Sequence, residues 1–176
     1  MPHFEKKIQS REIYRGHIIR VTLDTVMLEN KRRALREIVH HHGGAGILPL
    51  DTDGKVWMVR QFRYAFGREL LEIPAGKLEL GEDPKEAALR ELREECGLIA
   101  DTVTELGCIY PSVGYDDEVI HLYLARDLHR TQAQPDEGEF LTLEQWSLSD
   151  LMVQVMNGEI RDAKTVAAIL KTNHLI

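Results

Sequence analysis

The 176-residue chain is poor in cysteine: Cys96 and Cys108 are too few for a disulfide scaffold or a cysteine zinc set. It lacks any apolar run approaching the roughly 18 residues of a membrane-spanning helix. The opening Met1-Pro2-His3-Phe4-Glu5-Lys6-Lys7 has no apolar stretch of the signal-peptide kind. Internal repeats, low-complexity segments and linkers are missing as well. Positive charge is short: 22 Lys and Arg stand against 29 Asp and Glu, a net charge of −7. Holding nucleic acid by its phosphates needs clustered excess Lys and Arg, so the composition argues against that class. The expectation is a cytoplasmic protein of about one domain, with no membrane or nucleic-acid partner. An anionic ligand would need a local basic patch or a bound metal to offset the repulsion.

What is present is ordinary globular material, 43% hydrophobic and 29% charged. The first forty residues alternate in the manner of strands, with Glu29-Asn30-Lys31-Arg32 as a hairpin turn and Ala34 to His41 as the returning strand. Gly43-Gly44-Ala45-Gly46 breaks that pattern, and Ile47-Leu48-Pro49-Leu50 starts a new apolar strand. Asp51-Thr52-Asp53-Gly54 is a turn leading into a strand from Lys55 to Phe62. Further strands are expected at 70–73, 102–109 and 119–125. A helix starts at Asp83-Pro84-Lys85-Glu86, a capping box with proline at its first turn, and stops at Gly97. Two more helices cover 148–156, capped by Ser147, and the stretch from Asp162 to Asn173. Strands first, one central helix and two late helices predict an α+β fold.

The first helix carries the chemistry. At about 100° per residue, Glu94, Glu91 and Glu95 share an arc of roughly 100° beside an apolar stripe of Ala88, Leu89, Leu92 and Cys96. Like charges at this spacing repel, so stability alone does not select them. A divalent cation held between the carboxylates would remove the repulsion, and oxygen-only ligands suit Mg²⁺ or Mn²⁺. The alternative is a solvated acidic face. Two features favour the first reading. Arg90 stands at i,i+4 from both Glu86 and Glu94, and the loop Pro74–Glu82, with glycines at 76 and 81, could fold back over the helix.

Gly76, five residues, Glu82, seven residues and then Arg90-Glu91-Leu92-Arg93-Glu94-Glu95-Cys96-Gly97-Leu98 resembles a complete Nudix box, G-x5-E-x7-R-E-U-x-E-E-x-G-U with U a bulky aliphatic. All nine specified positions match over 23 residues, and weaker similarity extends over most of the chain. The resemblance implies a Nudix fold, a mixed β-sheet sandwiched between helices, here with an N-terminal antiparallel β extension. It implies hydrolysis of a nucleoside diphosphate linked to another group, with divalent metal on the pyrophosphate. By position, Glu91 and Glu95 would be direct metal ligands, Glu94 a third or water-mediated one, and the Ala75 carbonyl another. Glu82 would lie in an outer shell, and Arg90 would pair with the acidic cluster.

Val59-Arg60-Gln61-Phe62-Arg63-Tyr64, Glu69-Leu70-Leu71-Glu72-Ile73-Pro74-Ala75-Gly76 and Arg36-Glu37 resemble ADP-ribose pyrophosphatases. The resemblance implies substrate contacts at Arg36, Arg63 and Glu72, with Glu37 a further position. Arg36, Arg60, Arg63 and Arg68 would answer the demand for local positive charge, although surface ion pairing is the plain alternative for each. In Pro111-Ser112-Val113-Gly114-Tyr115-Asp116-Asp117-Glu118, Gly114, Tyr115 and Glu118 match the same enzymes, and Glu118 joins the substrate set. Val113 stands where a proline is expected, which leaves GDP- and UDP-sugars open as substrates. Gln134-Pro135-Asp136-Glu137-Gly138-Glu139-Phe140 is an acidic loop where related enzymes keep a mobile catalytic glutamate. Glu137 and Glu139 are both candidates for the base, and spacing does not choose between them.

The resemblance also implies that residues 1–43 form a dimerising β extension and 44–176 the hydrolase domain, giving a homodimer. Gly158–Thr165 resembles a C-terminal segment of the same enzymes that opens a packing helix, and is read as structural. His40-His41-His42 reads as a strand end, because alternating side chains cannot all reach one ion. Cys96 and Cys108 read as inert core thiols. A catalytically silent nucleotide-sugar sensor is the alternative of a different class.

Overall fold

Three strands open the chain. In the computed structural model, which describes residues 3–134, 138 and 140–176, β1 (Lys6–Arg15), β2 (Arg20–Met27) and β3 (Arg33–His40) form an antiparallel sheet in that order. The β2–β3 turn falls on the expected residues. The Leu28 N–H donates to the Arg32 carbonyl at 2.8 Å, and Lys31 takes the left-handed φ of 63° the tight turn needs. β1 was not separable in the sequence, because all ten of its residues are exposed and no apolar face marks it. Together with Tyr110–Val119, this sheet makes one compact unit, Met1–His42. Within it the 110–119 segment is tied to the end of β3. The Val39 N–H donates to the Tyr115 carbonyl at 2.7 Å, and that of Asp117 to the Val39 carbonyl at 3.0 Å.

The second unit, Gly43–Ile109 with Ile120–Ile176, holds a mixed four-stranded sheet. Its strands are β4 (Gly44–Pro49), β7 (Ala75–Lys77), β8 (Leu98–Ile109) and β9 (Ile120–Arg130), in the order β7-β4-β9-β8. β4 is buried throughout and pairs parallel with β9, while β7 and β8 run antiparallel to their neighbours. A second antiparallel sheet has β5 (Lys55–Arg63) between β10 (Leu141–Ser147) and β6 (Arg68–Glu72). The helices are α1 (Pro84–Cys96), α2 (Leu148–Met156) and α3 (Ala163–Leu175).

Alternation along β4 and β9 divides the core. Ala45, Ile47, Tyr123 and Ala125 pack with Ala88, Leu92 and Cys96 of α1. Leu48, Leu50, Leu122 and Leu124 pack with Leu151 of α2 and Ala168 and Ile169 of α3. The sheet is therefore covered by helices on both faces, the expected α+β sandwich. Leu92 is fully buried in the α1 stripe. Leu92→Ala is expected to lower unfolding stability by about 2–5 kcal/mol, the usual range for emptying a packed aliphatic site, and a denaturant melt checks it.

The ends of α1 are fixed by local chemistry. The Asp83 carboxylate accepts from the Lys85 N–H at 2.9 Å and the Glu86 N–H at 3.2 Å, with Pro84 following the cap. Gly97 closes the helix in the left-handed conformation, and its N–H returns to the Arg93 carbonyl at 3.0 Å.

Of the two cysteines expected in the core, one is there. Cys96 is buried, and burial pushes its thiol well above the usual range, as befits an inert core sulfur. Cys108, by contrast, is exposed. A bulge between Glu105 and Gly107 resets the alternation of β8, so that Leu106 and Ile109 meet the core and Cys108 turns outward. Among the described residues, no helix is long and apolar enough to cross a membrane.

Candidate active site

The loop from Ile73 to Asp83 folds back over α1 and is anchored at both of its ends. The Ile73 N–H donates to Thr165 Oγ1 at 2.9 Å, and the Pro74 carbonyl accepts from the Ile47 N–H at 3.0 Å. The Ala75 N–H then donates to Glu95 Oε2 at 3.0 Å. At the next residue the backbone touches the helix: a Cβ at Gly76 would sit 1.8 Å from Glu91 Oε1. Glycine is required at 76 for close approach, whereas Gly81, with φ of 81°, supplies the turn. Glu82 closes the loop, accepting from the Glu79 N–H at 2.8 Å.

Arg90 is the hub. Its Nε and Nη2 donate to the two oxygens of Glu82 at 3.0 and 3.2 Å, and its Nη1 donates to Glu91 Oε1 at 2.7 Å and Glu94 Oε2 at 2.9 Å. The Glu86–Arg90 pair expected from i,i+4 spacing does not form among the described residues. Glu82 offers the guanidinium a bidentate fork, which a single helical turn does not. The Glu82 carboxylate, with Glu91 and Glu94 behind it, raises the Arg90 pKa further. Arg90 in turn, helped by the Glu79 N–H, holds Glu82 below the ordinary carboxylate value.

Glu95 is 8% exposed, and the Glu91 and Glu94 side chains are 12% and 25% exposed. Glu82, Glu91 and Glu94 thus set three carboxylates around one guanidinium, and Glu95 joins the loop through the Ala75 N–H instead. Among the described residues no three acidic, His or Cys side chains converge as a finished metal cluster, since Arg90 draws Glu91 and Glu94 to itself. The donor chemistry nevertheless fits a hard divalent cation. All the donors are oxygens, and the Glu91 carboxylate lies in the space a side chain at 76 would fill.

A second charged cluster lies nearby in sequence and in the fold of the same unit. Arg63, at the end of β5, grips Glu72, at the end of β6, through Nε–Oε1 at 2.7 Å and Nη2–Oε2 at 2.8 Å. Lys164 also donates to Glu72, and to Asp162 Oδ2 at 3.0 Å. Burial pushes the Glu72 carboxyl up, but Arg63 and Lys164 more than reverse this and leave it below the ordinary range. Sequence reading brought out Arg63 and Glu72 but not their mutual bond, and it missed Lys164 in this role. Lys164 lies 92 residues from Glu72, and no local spacing signals the contact.

Of the other three arginines expected to supply positive charge, two are paired. Arg60 donates to Glu144 at 2.5 and 3.2 Å, and Arg36 to Glu5 at 2.9 and 2.5 Å, whereas Arg68 is exposed. Arg36 and Glu118 belong to the first unit, where the Glu118 carboxylate meets His41 Nδ1 at 3.2 Å. His40 Nδ1 lies 2.5 Å from Asp117, so the histidine run does end the strand, with ion partners of its own. Tyr115 and Val113 are exposed. Glu137 and Glu139 lie outside the described residues. Gln134, which precedes them in the chain, donates its N–H to the Glu94 carbonyl at 3.0 Å, and Thr131 donates to that of Gly97 at 2.8 Å.

Comparison with known proteins agrees with this geometry. The family model described as NUDIX domain matches residues 40–169. An ADP-ribose pyrophosphatase of Bacillus subtilis is 41% identical over 167 residues, covering 94% of this chain and 90% of the relative. A methanol dehydrogenase activator of Bacillus methanolicus is 38% identical over the same shares. A crystal structure of an ADP compounds hydrolase superposes with a TM-score of 0.85 over 97% of this chain and 93% of that one, at 22% identity, and so shares the fold. A family match spanning most of the chain, on a fold that seats the box glutamates against their own glycine loop, has one consequence: the chain belongs to the NUDIX domain family.

Proposed function

We propose that the chain is a Mg²⁺-dependent hydrolase, with Mn²⁺ able to substitute. It splits the pyrophosphate of ADP-ribose or a related nucleoside diphosphate sugar into a nucleoside monophosphate and a sugar phosphate. The observation that carries the reading is the seating of Glu95 on the Ala75 N–H and of Glu91 against Gly76, which draws near-buried carboxylates to one turn of backbone. The relative named ADP-ribose pyrophosphatase supports the substrate class.

Glu91, Glu94, Glu95 and the Ala75 carbonyl would hold the cation. When bound, it neutralises pyrophosphate oxygens and lowers the pKa of coordinated water. The remaining work falls to the chain. Arg90 and Glu82 keep the loop and the helix in register, so the carboxylates meet substrate in one arrangement. Arg63 presents a partly exposed guanidinium to the diphosphate, and the buried Glu72 orients it. Arg36 and Glu118 enter as substrate contacts on the resemblance alone. Glu137 or Glu139 takes the proton from the attacking water. The bond from Gln134 to the Glu94 carbonyl supports this, because it ties the chain three residues before Glu137 to the acidic helix.

The proposal includes a cytoplasmic location, no part for nucleic acid or membrane, and a homodimer in which residues 1–43 are the dimerising extension of a 44–176 hydrolase domain. β1 supports the dimer. It is exposed along its length, with Ile8, Ile13 and Tyr14 in the open, and its outer edge has no strand partner among the described residues. Light scattering at micromolar concentration should give twice the 20.2 kDa chain mass, and a monomer would overturn this part. The activity is tested by phosphate release in a coupled phosphatase assay on ADP-ribose, ADP-glucose, GDP-mannose, UDP-glucose and diadenosine polyphosphates. Preference for ADP-ribose is expected. Preference for another sugar nucleotide would give weight to Val113, and silence on all of them would favour a sensor.

A further inference from the structure

Glu72 is 2% exposed, and a carboxylate so buried needs its charge answered inside the protein. Arg63 answers it from one side with a bidentate fork, and Lys164, itself 8% exposed, from the other. Asp162 completes the set. Its Oδ2 caps α3 by accepting from the Thr165 N–H at 3.0 Å and Thr165 Oγ1 at 2.5 Å, and it accepts from Lys164 Nζ at 3.0 Å. Two cations and two carboxylates thus form a row, Arg63–Glu72–Lys164–Asp162, whose middle is buried and whose Arg63 end, 39% exposed against 20% for Asp162, is the more open to solvent.

We infer that Lys164 is a positioning residue for the substrate arginine: anchored by the α3 cap, it fixes Glu72, and Glu72 holds the Arg63 guanidinium in one orientation. The inference rests on the reading of Arg63 as a substrate contact. A guanidinium held along its Nε–Nη2 edge keeps its opposite edge aimed, so less freedom is lost when a diphosphate binds. The same segment pins the metal loop, because Thr165 Oγ1 accepts from the Ile73 N–H at 2.9 Å. The start of α3 therefore sets the substrate arginine and the entry to the 73–83 loop together.

The test is Lys164→Met in the full-length protein, with Asp162→Asn as a milder partner that keeps a capping side chain. Lys164→Met should raise KM for the preferred nucleotide sugar by about tenfold with kcat changed less than about threefold, the pattern of lost uniform binding. Arg63→Ala and Lys164→Met should be non-additive, the double variant being no worse in kcat/KM than Arg63→Ala alone. Independently of turnover, the Arg63 Nε–H resonance should be slow to exchange in the wild type and fast in Lys164→Met. If that variant does not fold by circular dichroism, Asp162→Asn is read in the same three ways, with smaller shifts in the same direction. Additive effects with an unchanged Arg63 resonance would overturn the inference and leave Lys164 as packing alone. A wild type inactive on every nucleotide sugar would sink the functional reading instead, and the Arg63 resonance would still judge the role of Lys164.

Discussion

Glu95→Gln is expected to lower kcat/KM with Mg²⁺ by about a thousandfold or more, while nucleotide-sugar binding and folding stay close to wild type. The substitution keeps the shape of the side chain, and the amide oxygen still accepts from the Ala75 N–H, so the loop has no reason to move. What disappears is a negative charge that is 8% exposed and lies where a cation would be held. A thousandfold loss corresponds to about 4 kcal/mol of transition-state stabilisation, the scale of removing one principal electrostatic partner in a water-poor site. Steady-state kinetics beside calorimetric binding of the nucleotide sugar checks both halves. Wild-type rates would remove Glu95 from the reaction.

Gly76→Ala is expected to separate activity from stability. The added methyl carbon would lie 1.8 Å from Glu91 Oε1, 2.2 Å from its Cδ and 2.8 Å from Oε2. These atoms are the far end of a flexible side chain, so the fold yields by swinging the carboxylate away and not by moving backbone. The stability loss should stay near or below about 1 kcal/mol, at the mild end of overpacking. Activity should fall by about a hundredfold, since a misplacement of about 1 Å in a catalytic site carries that scale of penalty. A variant that loses stability but keeps its rate would show that the position of Glu91 is unimportant.

The local structure of α1 was legible because its instructions are local. An Asp-Pro start and a glycine stop fixed its ends, and the wheel put Glu91, Glu94 and Glu95 on one flank, where they stand. The loop was legible for a related reason: glycine at 76 has a steric meaning that the structure spells out as contact with Glu91. Long-range events were not legible. The parallel pairing of β4 with β9, the bulge that turns Cys108 outward and the reach of Lys164 to Glu72 depend on partners 70 or more residues away or on a register reset inside a strand. The choice of Glu82 over Glu86 by Arg90 is set by the fold-back of the 73–83 loop, which brings the Glu82 carboxylate to the guanidinium, and not by helical spacing. Within the strand-like first forty residues β1 had no boundary of its own, because an exposed strand has no need of an alternating apolar pattern.

Pyrophosphate hydrolysis at the α1 carboxylates is tested most directly by product analysis of ADP-ribose incubated with the protein and Mg²⁺. Phosphorus NMR of the mixture should show the pyrophosphate doublets replaced by two monoester signals, AMP and ribose 5-phosphate. It should show no change when EDTA replaces the metal or Glu95→Gln replaces the wild type. Equal turnover in all three mixtures, or an intact pyrophosphate in every one, would contradict the account.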